Sequence, residues 1–61
     1  MYNKDQWISS FEDWIVRLRP HTSSRLLATA GIMAWTRYGA KDVAPETAAR
    51  EWSRTMDGHS A

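Results

Sequence analysis

The apolar positions of the first third of the chain recur on one helical face. Trp7, Ile8, Phe11, Trp14, Ile15 and Leu18 fall within an arc of about 120° when projected at the helical angle per residue. This spacing predicts a helix over 4–19. Asn3 is a good N-cap, and Gln6 follows three residues later as in a capping box. Tyr2 and Trp7 stand where a hydrophobic staple would form. Asp5 suits the positive end of the helix dipole, Arg17 and Arg19 suit the negative end, and Pro20 stops the helix.

A second helix is predicted from Thr22 or Ser23, either of which can cap it, to Tyr38, with Gly39 as the stop. Leu26, Leu27, Ala30, Met33, Ala34 and Tyr38 form one apolar face. Ala28, Ile32 and Trp35 form another on nearly the opposite side. A helix apolar on two sides is either central in a bundle or pressed against another chain. Ala28, Ala30, Gly31 and Ala34 would let a neighbouring backbone come close.

The third helix is predicted from Pro45, where a missing N–H costs nothing, to Gly58. Ala48, Ala49, Trp52 and Met56 are its stripe, and Glu46 and Arg50 make a favourable outer pair. A short turn is expected at 41–43. No strand pattern occurs. The expected fold is all-α: a compact three-helix bundle, SAM-like or HTH-like, over residues 1–57, with a tail over 58–61.

Composition narrows the function. A chain of 61 residues holds one small domain, which buries only ~60% of its unfolded surface. With no cysteine, disulfides, thiolate metal sites and cysteine nucleophiles are excluded, and packing or a partner must compensate. Four tryptophans are the resource for packing. The N-terminus lacks an apolar signal core, and the longest apolar-leaning run, Leu26 to Trp35, is about half the ~20 residues that a membrane span needs. A cytoplasmic protein is expected, with no membrane partner.

The net charge of +1 conceals a partition. Residues 1–13 carry −2, residues 14–41 carry +5 with no acid at all, and residues 42–61 carry −2. Arg17, Arg19, His21 and Arg25 gather around the turn between the first two helices, beside the hydroxyls of Thr22, Ser23 and Ser24. Arginine forks, hydroxyls and a helix N-terminus suit phosphate contacts, which are salt-sensitive and read no bases. The same patch would satisfy an acidic protein surface.

Phe11-x-x-Trp14-Ile15, Arg17-Leu18-Arg19-Pro20-His21-Thr22, Leu26/Leu27, Ala30, Met33-Ala34-Trp35, Gly39 and Val43-x-Pro45-x-x-Ala48-x-x-Trp52 together resemble the N-terminal core-binding (SAM-like) domain of tyrosine recombinases and phage integrases. The resemblance covers roughly residues 7–56, and its motifs are mostly helix periodicity and caps. It implies that Thr22, Ser24 and Arg25 lie near a DNA backbone, and it transfers no catalysis. Val43-Ala44-Pro45-Glu46-Thr47 is similar to the opening of a helix-turn-helix recognition helix.

No catalytic constellation is visible. His21 sits in a basic turn and His59 in the tail, Glu12 and Asp13 point apart on a helix, and no glycine-rich phosphate loop occurs. The chain is therefore expected to be no enzyme, without cofactor or metal.

Two functions are left. The first is a DNA-associated accessory protein of a phage or mobile element, using Arg17, Arg19, Thr22, Ser24 and Arg25 on backbone phosphates; this is preferred by a small margin. The second is an inhibitor or adaptor of the anti-CRISPR or host-takeover type. It would bind a host protein through Ile32, Trp35, Arg37 and Tyr38. Trp35 is either its anchor or a residue buried inside the bundle, and the second stripe of helix 2 would also permit a homodimer.

Overall fold

The computed structural model describes residues 2–58 and is an all-α three-helix bundle. Helix α1 spans Lys4–Leu18, α2 spans Ser24–Arg37 and α3 spans Pro45–Gly58, with a single 3₁₀ turn at Gly39–Lys41. The expected tail lies from His59 on outside the described residues, as does the side chain of Met56.

Capping chemistry sets the boundaries. Asn3 Oδ1 accepts from the Gln6 N–H at 3.2 Å, which starts α1. Ser23, one of the two caps expected, accepts from the Leu26 N–H at 3.2 Å and starts α2 at Ser24. Arg19 and Tyr38 are C-caps, each one residue beyond its helix. The short turn falls two residues earlier than expected, and Gly39 opens it. The left-handed conformation belongs instead to Asp42, at φ 63°. Aspartate tolerates that region better than most residues.

The middle of the bundle is α1, not α2. Helices α2 and α3 each pack on α1 and barely touch one another. The wide stripe of α1 explains this: Trp7, Phe11 and Ile15 are fully buried, with Ile8 and Trp14 packed beside them. Ring geometry joins the elements. Trp7 stacks on Phe11 with centroids 5.4 Å apart, Trp35 of α2 meets Trp7 edge-on at 5.7 Å, and Trp52 of α3 meets Phe11 edge-on at 6.1 Å. Helix α3 closes the other side through Ala48 and Ala49, both without exposed surface.

The buried face of α2 also differs from the expected one. It is centred on the small residues Ala30, Gly31 and Ala34. At Gly31 a side chain would stand 2.8 Å from Ile8 Cγ2 and 3.3 Å from Glu12 Oε2, so α2 lies too close to α1 for anything larger. This close crossing selects the small strip between the two stripes of large residues. Leu27, Trp35 and Tyr38 pack at its edges, while Leu26 and Met33, expected in the core, are turned outward.

Candidate functional site: a basic-rimmed apolar groove

Because α2 and α3 both sit on α1 with little contact between them, a groove lies between them. Ile15 of α1, Trp52 of α3 and Ala30, Met33 and Leu26 of α2 bound a hollow of about 140 Å³. At the α1–α2 turn it adjoins a wider, open hollow of about 390 Å³ formed by Leu18, Arg19, Pro20, His21, Thr22 and Leu26. Thr22 and Leu26 belong to both. Three large apolar side chains along this path remain wet: Leu18 is 43% exposed, Leu26 57% and Met33 44%.

The residues expected to contact phosphate are only partly available at one surface. Arg19 folds back across the chain. Its Nε donates to Ser53 Oγ and its terminal nitrogen to the Ser53 carbonyl, both at 3.3 Å, tying the end of α1 to α3. Thr22 is half-buried, and its hydroxyl donates to the Arg19 carbonyl at 2.9 Å, bracing the turn. Ser24 and Arg25 are exposed on the first turn of α2. Arg17 is exposed but lies over the Trp14 ring at 5.1 Å.

The four residues expected to form a protein interface do not lie together on one exposed surface. Trp35 is half-buried against Trp7, the internal alternative of the two readings, but the contact comes from packing on α1 and not from a central α2. Tyr38 is likewise packed on the core as the C-cap of α2. Ile32 is exposed and lies away from the groove side of α2. Arg37 lies over the Trp52 ring at 6.0 Å, at the end of the groove. The expected set omitted Leu18, Leu26 and Met33. The strip Ala30-Gly31-Ala34 was the signal for the two on α2, since burying that strip leaves Leu26 and Met33 at its side.

Among the described residues, no carboxylate pairs with Arg17, Arg25 or Arg37. The α3 acids are engaged locally: Glu46 pairs with Arg50 at 2.7 Å and Glu51 with Arg54 at 3.8 Å. Glu12 covers Gly31 on the α1-facing side of α2. The groove is thus mainly apolar inside, with Arg19 lining its wider hollow, Arg37 over Trp52 at the other end and Arg25 exposed on the first turn of α2.

Among the described residues, no group of three or more His, Asp or Glu could hold a metal ion. No described helix is long and apolar enough to cross a membrane. Comparison with protein-family models, with curated proteins and with solved structures finds no match to this chain.

Proposed function

We propose that this protein is a small non-enzymatic binding module, of the inhibitor or adaptor kind, whose groove between α2 and α3 receives a protein partner. The observation that carries the reading is the exposed row Leu18, Leu26 and Met33 beside a floor of Ile15 and Trp52. A phosphate backbone has no use for that row, whereas a protein partner would bury it. Burial of apolar area is worth roughly 25 cal/mol per Å², and contiguous apolar surface on a small protein is more often an interface than an accident.

A second reading has its own observation. Arg17, Ser24 and Arg25 are exposed near the α1–α2 turn, with no carboxylate pairing to either arginine among the described residues. That favours a DNA-backbone contact by an accessory protein of a phage or mobile element, as the resemblance to integrase core-binding domains implies.

One pair of variants separates the two. Leu26→Asp with Met33→Asp should abolish stoichiometric capture of the partner from the lysate of the cells that make this protein. Both positions are exposed, so the far-UV circular dichroism should stay unchanged. Arg17→Gln with Arg25→Gln should leave capture detectable. If the groove variant captures the partner normally while the arginine variant loses a salt-sensitive DNA mobility shift, the protein reading fails and the DNA reading replaces it.

A further inference from the structure

The shape and charge of the groove specify an occupant more narrowly than "a protein". We infer that it seats an amphipathic helix bearing carboxylates along the flank that faces α2; this rests on the groove being the interface proposed above.

The packing supplies the first part of the argument. Helices α2 and α3 lean on α1 and leave the space between them open above Ile15 and Trp52. A helix laid there would complete a four-helix arrangement, with its apolar stripe facing Leu26 and Met33. These two residues are seven apart on α2, which is two turns or about 10.5 Å. The separation matches anchors at i and i+7 of an incoming helix, one entering the hollow at Leu18 and Leu26 and the other the hollow at Met33 and Trp52. Among the described residues there is no strand whose edge could recruit an extended peptide instead.

Charge supplies the second part. Residues 14–41, which contribute most of the groove, contain five cations and no acid. Arg25 lies in the first turn of α2 and Arg37 in its last, about 18 Å apart along the helix axis. Neither is paired to a carboxylate among the described residues, and Arg37 already rests on the ring of Trp52 at the groove floor. A helix whose α2-facing flank is basic would meet like charge at both ends of α2, whereas an acidic flank there would gain two charge-assisted contacts. A second copy of this chain offers a less suitable surface. Its two acid-bearing helices, α1 and α3, each hold three acids against two bases, and both already turn their apolar stripes into the core.

The test is selection of a displayed helical peptide library on the intact protein, followed by titration of enriched peptides into wild-type, Leu26→Asp, Met33→Asp and Arg25→Glu proteins. The expected result is enrichment of sequences with apolar anchors two turns apart and Asp or Glu beside them. Their affinity should fall at least about tenfold with either groove variant, and by a smaller factor, greater at low salt, with Arg25→Glu. Peptides that need Leu26 and Met33 but carry no acidic bias would overturn the acidic-helix inference and leave the groove reading standing. Failure to enrich any helix would overturn the inference as well. Peptides indifferent to both groove substitutions would overturn inference and reading together. Sedimentation of the protein alone as a dimer that Leu26→Asp dissociates would make a second copy the occupant.

Discussion

Replacing Trp7 with alanine is expected to leave the chain unfolded at 25 °C. Trp7 is 1% exposed and is the residue on which the three parts of the core converge. Its ring stacks on Phe11 and takes the edge of Trp35, and its Nε1 donates to the Val43 carbonyl at 2.8 Å, pinning the segment that leads into α3. Truncating a buried tryptophan to alanine costs about 3–5 kcal/mol. A domain of this length has a total stability of only about 3–9 kcal/mol, and it has no disulfide to limit the unfolded ensemble. Circular dichroism should show loss of helical signal without a cooperative thermal transition. Trp7→Phe keeps most of the ring but orphans the carbonyl, and should fold with a lowered melting temperature. A cooperative, near-wild-type melt for Trp7→Ala would mean that the ring contacts described above do not hold this fold together.

Gly39→Ala should cost the protein up to about 3 kcal/mol, a large effect for one methyl group. The reason is steric and not conformational, because Gly39 does not adopt a positive φ. An added Cβ would overlap Trp35 Cε3 and would stand 2.9 Å from Trp7 Cδ2. Both atoms belong to indole rings held by their neighbours, so neither can swing aside as the end of a lysine would. Relief would require Trp35 to move off Trp7, undoing the edge-on contact that fixes α2. For a domain this small the loss corresponds to a fall of roughly 10–20 °C in melting temperature. A shift of a degree or two in Gly39→Ala would show that Trp35 is loosely seated.

These two positions show what the residue pattern reveals and what it conceals. Helix boundaries were legible to within a residue or so, because Asn3, Ser23, Pro20 and Pro45 carry their meaning locally. The core stripe of α1 was legible over Trp7, Ile8, Phe11, Trp14 and Ile15, which lie in one arc; Leu18, expected with them, is 43% exposed because it stands at the last residue of α1, beside the open α1–α2 turn. Helix α2 was harder. Its large side chains suggest two faces, but the bundle buries the small strip between them, because Gly31 lets α2 approach Ile8 and Glu12. Close approach outweighs side-chain size at that crossing, so Leu26 and Met33 end up at the groove and α1 takes the centre.

The site was legible only in its charge. The acid-free stretch is visible in the residue order, and the structure leaves Arg17, Arg25 and Arg37 without carboxylate partners among the described residues. The fate of Arg19 was not legible, because its hydrogen bonds run to Ser53, thirty-four residues away in sequence. The position of Trp35 depends on a glycine four residues later that leaves room for its ring. The pairing of a bulky aromatic with a glycine one turn on is a local cue to such packing, and it separates a core tryptophan from an exposed anchor.

The proposed function requires that the surface along Met33 be covered by another protein when this chain is at work. The most direct measurement is photo-crosslinking in the cells that make it, with a photoreactive amino acid at position 33 and, for comparison, at Thr47 on the exposed side of α3. One discrete protein adduct is expected from position 33 and none from position 47. Equal adduct patterns from the two positions, or adducts from position 33 to nucleic acid alone, would contradict it.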